Sequence, residues 1–310
     1  MRHFLTLKDF STREILQIVK RSLELKSIVK KQICAGIKAP ALLGGTTMAM
    51  IFSKKSTRTR VSADAGFSFF GGNALFLSHN DLQLGGGESI KDTVTVISSM
   101  TDLIFARLGH HDEITEMAKY SSVPVVNALT AKYHPLQILA DLMTIYENYL
   151  PNCQDVRGKN LPLPDLPPLN ICWIGDANNI VNSMLVTYPR LGLNLSIATP
   201  PGYIIDTDVM EFAKATSRGK LSFHSNPTDA ARDANIVITD TWISMGDELD
   251  FDKRIRDFEG FQITEKLCKV SHPDWKFMHC LPRKKYEVDD EVLSRLTKGI
   301  LQQQEVTCLS

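Results

Sequence analysis

Thr46-Thr47-Met48-Ala49-Met50-Ile51-Phe52-Ser53-Lys54-Lys55-Ser56-Thr57-Arg58-Thr59-Arg60 is the stretch from which the plan of this chain can be read. Residues 46–52 form a short apolar run with polar flanks, which reads as a strand buried on both faces. The run ends in polar residues, and a helix is expected to open at Ser56, a good N-cap residue type, and to continue to residue 70. Strand, short polar turn, helix: the same unit then recurs along the chain. Residues 74–77, 102–106 and 123–126 read as further buried strands, with helices at 88–100 and 112–119 between them. The rhythm resumes at 169–174, 195–198, 235–239 and 276–280 as strands, with helices around 180–191, 207–215 and 227–234. Alternation of this kind predicts an α/β chain with parallel sheets covered by helices on both faces.

Between the two series lies an apolar-periodic helix at 134–149, followed by a segment that cannot continue it. Residues 151–168 hold five of the fourteen prolines, and proline interrupts helical hydrogen bonding. The expected organisation is two domains, 1–148 and 149–310, each a parallel β-sheet flanked by helices, joined by that helix, with a cleft between them. A length of 310 residues suits two domains, and a hydrophobic fraction of 43% suffices to fill two cores.

The formal net charge is zero, so neither a nucleic acid nor a membrane surface is an expected partner; both call for a basic face. An anionic ligand would need a local basic pocket instead. The six cysteines (Cys34, Cys153, Cys172, Cys268, Cys280, Cys308) are scattered without a CxxC pair. In a chain this long they read as reduced thiols, not as a disulfide framework or zinc site. No apolar run approaches the ~20 residues that span a bilayer. The opening Met1-Arg2-His3-Phe4-Leu5-Thr6-Leu7 shows no secretory or transit peptide.

Four strings carry the chemistry. Ser56-Thr57-Arg58-Thr59-Arg60 offers hydroxyls, a guanidinium and the free N–H groups of a helix start, which together would hold a phosphate group. On pattern alone an ordinary N-cap with exposed basic residues is equally consistent. Gly175-Asp176-Ala177-Asn178-Asn179 follows a strand and precedes a helix, but lacks the later glycines of GxGxxG. A dinucleotide-dependent dehydrogenase is therefore unsupported. Asp240-Thr241-Trp242-Ile243-Ser244-Met245-Gly246 and His279-Cys280-Leu281-Pro282 both follow strands, at the ends where open α/β sheets place ligands. Nothing in the residues demands that Cys280 act as a covalent nucleophile.

The whole string at 56–60 resembles the carbamoyl-phosphate motif of the aspartate and ornithine carbamoyltransferase family, and the resemblance continues in order. Arg107 follows a strand, where the family places a carbamoyl-contacting arginine. His134-Pro135-Leu136-Gln137 resembles the family's HPxQ motif. Residues 240–246 and 279–282 resemble the DxxxSMG loop and HCLP motif of the ornithine branch, which the aspartate branch lacks. The resemblance implies transfer of a carbamoyl group from carbamoyl phosphate to the side-chain amine of L-ornithine, giving citrulline, with no metal or organic cofactor. Ser56, Thr57, Arg58, Thr59, Arg107, His134 and Gln137 would then bind carbamoyl phosphate, and Gln83 would reach the site of a neighbouring subunit in a homotrimer. Asn178, Asp240, Ser244, Met245, Cys280 and Leu281 would bind ornithine. Arg107, His134 and Cys280 are the expected catalytic residues. The family setting implies the mitochondrial matrix, with the cytosol as the alternative.

The motif resemblance runs from about residue 3 to 293. The family continues into an EAENR-like segment whose arginine contacts carbamoyl phosphate, and then into a helix that returns to the first domain. Residues 293–310 show no counterpart of that arginine. Two expectations follow: a working transferase whose tail compensates, or a catalytically impaired member that folds or binds ligand without turnover.

Overall fold

A computed structural model describes residues 1–36, 40–78, 87–150, 162–243 and 250–294 of the chain. Two compact units divide the described residues, one built on 1–143 and the other on 164–294 with 144–150.

The first unit contains α1 (Thr12–Ala35), β1 (Thr47–Phe52), α2 (Thr57–Phe69), β2 (Asn73–Ser78), α3 (Ile90–Met100), β3 (Leu103–Arg107), α4 (His111–Tyr120), β4 (Val125–Leu129) and the start of α5 (Pro135–Tyr149). Its described strands form a parallel sheet in the order β2-β1-β3-β4. The alternation along β1 explains why the sheet is covered twice. Met48, Met50 and Phe52 pack on one face with Phe105, Ala128 and Leu136, while Ala49 and Ile51 pack on the other with Val94, Ile97, Ile114 and Met117. Successive strand side chains point to opposite faces, so a run apolar at every position must be buried on both. Each such Met, Ile or Phe side chain contributes roughly 1.5–3 kcal/mol on full burial.

Two elements of this unit differ from expectation. Helix α1 was not anticipated, although a capping box marks its start: Ser11 N donates to Glu14 Oε2 at 2.8 Å and Glu14 N to Ser11 Oγ at 3.3 Å. The buried Ile15, Val19 and Val29 follow at helical spacing. Strand β4 begins at Val125 and not at residue 123, after Pro124, which has no N–H to give the ladder.

The second unit contains β5 (Asn170–Ile174), α6 (Asn179–Leu185), β6 (Asn194–Ala198), α7 (Thr207–Thr216), β7 (Leu221–His224), α8 (Pro227–Ala230), β8 (Ile236–Thr239), α9 (Phe251–Asp257), α10 (Glu265–Cys268), β9 (Lys276–His279) and α11 (Asp290–Ser294). The sheet is again parallel, ordered β7-β6-β5-β8-β9. Its core gathers Cys172, Ile174, Val237, Trp242, Phe258, Phe261 and Phe277, and Trp173 is fully buried in β5. The helix expected over 180–191 is shorter: α6 ends at Leu185, and a 3-10 turn at Pro189–Leu191 closes on Gly192 at φ +84°. A left-handed residue of that kind stops a helix, and glycine adopts it without strain. Helix α8 likewise stops at Ala230. Strand β7 was not foreseen.

No helix among the described residues is long and apolar enough to cross a membrane. The expected loop at 151–168 is described only from residue 162, and residues 295–310 lie outside the described part.

Candidate active site

In both sheets the chain leaves the first strand to one side and later returns to the other. In the first unit β1 is followed by β2 on one flank and by β3 on the other; in the second, β5 is followed by β6 on one flank and by β8 on the other. The loops after such neighbouring strands diverge, leaving a crevice at their carboxyl ends, where open α/β sheets bind ligands. Of the predicted site residues, Ser56–Thr59 follow β1 and Arg107 ends β3, while Asn178 follows β5 and Asp240 follows β8.

In the first unit Phe52 is the register partner of Arg107, and Arg107 pairs with Leu129 on the next strand. The ends of β1, β3 and β4 therefore lie side by side. Ser53 N donates to Arg107 O at 2.9 Å and Ala131 N to Gly109 O at 2.8 Å, tying the three following loops together. Ser56 caps α2. Its Oγ accepts from Thr59 N at 3.4 Å and donates to Thr59 Oγ1 at 2.9 Å. Thr57 and Arg58 are exposed in the first turn, which contains no acidic residue to compete with an anion. Arg60, the other basic residue of the string, instead stacks its guanidinium 3.5 Å from the ring centroid of Phe76.

Arg107 is buried at the end of β3 and His134 precedes α5. Burial pushes the His134 imidazole down to about 3, and the positive charge of Arg107 adds to the shift. At any pH where most proteins work, this ring is neutral, and it can donate a hydrogen bond without bringing a charge. One turn into α5, the buried Gln137 donates from Nε2 to Asp141 Oδ1 at 2.9 Å. Asp141 accepts only, so the amide is oriented with its own oxygen available elsewhere. The first unit thus brings together a helix start, hydroxyls, two guanidinium groups and neutral polar donors. Such a set suits a phosphorylated carbonyl compound: cations and N–H groups for the phosphate, fixed donors for an oxygen that becomes negative.

In the second unit Asn178, Asp240 and Cys280 follow β5, β8 and β9, three adjacent strands. Cys280 Sγ donates to Asp240 Oδ1 at 2.7 Å, and Asn178 Nδ2 approaches Asp240 Oδ2 at 3.4 Å. Asn178 also caps α6, its Oδ1 accepting from Ile180 N at 2.9 Å and Val181 N at 3.3 Å. Leu281 adopts φ +54°, and its N–H is held by His279 Nδ1 at 2.8 Å. A left-handed conformation costs a branched residue roughly 1–2 kcal/mol. A carboxylate, a thiol and backbone groups set in this way suit a cationic or nucleophilic amine.

Three neighbours of these residues were not singled out from the sequence. Asp141 orients Gln137. Arg254 of α9 forms an ion pair with Asp176 in the turn after β5 and also donates to Trp242 O, holding the β5 and β8 loops together. Glu287 reaches the loops after β8 and β9. Charged residues of this kind read as surface in a sequence, and only the fold shows Asp141 and Glu287 buried and Arg254 half-buried. Of the expected site residues, Gln83, Ser244 and Met245 lie outside the described residues.

Comparison with known proteins agrees with this geometry. Residues 2–147 match the family profile described as the carbamoyl-P binding domain of aspartate/ornithine carbamoyltransferase, and residues 168–307 match that of its Asp/Orn binding domain. The second match passes residue 293, where the motif resemblance was expected to stop. The chain is 45% identical over 297 residues to the ornithine carbamoyltransferase of Caldicellulosiruptor saccharolyticus, covering 94% of this chain and 90% of that one. It is 44% identical over 294 residues to the mitochondrial ornithine carbamoyltransferase of Aquarana catesbeiana, covering 94% and 79% respectively. Among solved structures, the anabolic ornithine carbamoyltransferase of Campylobacter jejuni superposes with a TM-score of 0.87 at 40% identity, over 100% of this chain and 96% of that one. With both of its domain profiles matched in order, this chain belongs to the aspartate/ornithine carbamoyltransferase family.

Proposed function

We propose that the chain is an ornithine carbamoyltransferase, transferring the carbamoyl group of carbamoyl phosphate to the side-chain amine of L-ornithine to give L-citrulline and phosphate. The observation that carries this reading is the Cys280–Asp240 contact. It joins the two motifs that set the ornithine branch apart, in a chain whose relatives of 44–45% identity bear that name.

Residues 1–148 supply the donor half. Ser56, Thr57, Arg58 and the α2 N-terminus hold the phosphate. Thr59, Arg107 and His134 face the carbonyl oxygen, and Gln137 faces the carbamoyl nitrogen. Residues 149–310 supply the acceptor half. Asp240, Cys280 and Leu281 orient the side-chain amine, while Asn178, Ser244 and Met245 hold the amino-acid head.

A free alkylamine is almost wholly protonated near neutral pH, so the attacking nitrogen must first lose one proton to solvent. The neutral nitrogen forms the new C–N bond, the negative oxygen of the intermediate is held by the fixed donors, and the C–O bond to phosphate then breaks. The departing phosphate accepts the proton the nitrogen releases. Neither metal nor organic cofactor enters this balance. Most of the rate is expected from holding two small substrates in register.

By the same reading the chain works as a homotrimer in which Gln83 reaches a neighbouring site, in the mitochondrial matrix or alternatively the cytosol; the names of two relatives carry the word mitochondrial. Sedimentation of the purified protein tests the trimer. Citrulline formation from carbamoyl phosphate and L-ornithine, with L-aspartate as parallel acceptor, tests the activity. Product from ornithine alone is expected. Silence with both acceptors from folded protein, or normal phosphate binding in Arg58→Ala, would overturn the proposal.

A further inference from the structure

Glu287 is fully buried seven residues beyond Cys280 in the connection after β9, in no motif discussed above. Its Oε1 accepts from Trp242 N at 3.2 Å and lies 3.1 Å from Thr241 Oγ1. Its Oε2 accepts from Lys284 N at 2.7 Å and lies 3.7 Å from His279 Nε2. Because His279 Nδ1 accepts from Leu281 N, the proton of the neutral ring must sit on Nε2, the nitrogen that faces the carboxylate. The backbone is fixed as well, with Ile263 N donating to Glu287 O at 2.9 Å.

Glu287 thus hydrogen-bonds the residues directly after Asp240 and the backbone of Lys284, four residues beyond Cys280, and lies beside the residue directly before Cys280. We propose that Glu287 is a positioning residue for the amine end of the site, setting the loops of Asp240 and Cys280 against each other through a single carboxylate. The inference rests on the assignment of those two residues to ornithine. Its physical basis is the number of acceptors. Trp242 N and Lys284 N sit on different oxygens, and only a carboxylate offers an acceptor to both. In Glu287→Gln, a side chain of almost the same size, one of these two N–H groups must face an NH2 group. Buried donors left so are costly, and the loop bearing one shifts.

The test compares the wild type with Glu287→Gln and Glu287→Ala. The ornithine KM should rise about tenfold in Glu287→Gln while the carbamoyl-phosphate KM stays within about twofold. In parallel, alkylation by iodoacetamide is followed at Cys280 by peptide mass, with the exposed Cys34 as internal reference. Cys280, released from Asp240, should react several-fold faster at an unchanged Cys34 rate. Equal movement of both KM values, or a Cys280 rate equal to wild type, overturns the proposal. If Glu287→Ala does not fold, Glu287→Gln decides. A wild type that makes no citrulline sinks the substrate assignment, and the alkylation comparison then judges the link between Glu287 and Cys280.

Discussion

The depressed His134 gives a prediction whose size can be worked through. In the unfolded chain its imidazole titrates near 6.5; in the folded one, burial and Arg107 hold it near 3. Between those values the unfolded state binds the extra proton, so stability rises with pH and is lost as pH falls below 6.5. At about pH 4.5, two units below the unfolded value, the loss from this residue is about 2.7 kcal/mol at ~1.4 kcal/mol per unit. Asparagine at the same position has no proton to gain. Urea denaturation of wild type and His134→Asn at pH 7 and pH 4.5 isolates the effect, since every other titrating group is common to both. The wild type should lose about 2–3 kcal/mol more than the variant between the two pH values. Equal losses would refute the buried neutral imidazole, and with it the role of His134 as an uncharged donor.

Asp240→Ala should raise the ornithine KM by about tenfold or more and leave the carbamoyl-phosphate KM near wild type; steady-state kinetics with each substrate varied would show otherwise if both move. Asp141→Asn frees the Gln137 amide to sit either way round, so kcat/KM for carbamoyl phosphate should fall about tenfold at unchanged ornithine KM. An unaltered value would mean that the orientation of Gln137 is set elsewhere. Ser56→Ala removes the cap of α2 and should cost about 1 kcal/mol in denaturant unfolding; no loss would place that cap hydrogen bond outside the folded protein in solution.

The sheets were legible because their strands are apolar at nearly every position, and burial on both faces is the cause of that pattern. The site strings were legible because each follows such a strand. Helix α1 escaped although Ser11, Glu14, Ile15 and Val19 carry its signal, because apolar residues such as Leu16, Ile18, Leu23 and Leu25 fall between the core positions and blur the helical period. Strand β7 is four residues long at the sheet edge, with Phe223 exposed, and so lacks the continuous apolar run that marks its neighbours. Asp141 and Glu287 could not be recognised at all. A buried carboxylate is identified by its donors, and those of Glu287 lie as far as 46 residues away in the chain.

The switch-point arrangement also bears on how such a chain can change. Everything assigned to the acceptor sits on connections after β5, β8 and β9, where Trp242 and Leu281 pack on the hydrophobic interior but most of that interior is supplied by strands and helices. Loop sequence can therefore drift, or be exchanged in the laboratory, with the strands left as they are. The donor half, carried by a different sheet, would keep its chemistry through such an exchange. A library confined to the connections after β8 and β9 is consequently the place to look for carbamoylation of amines other than ornithine.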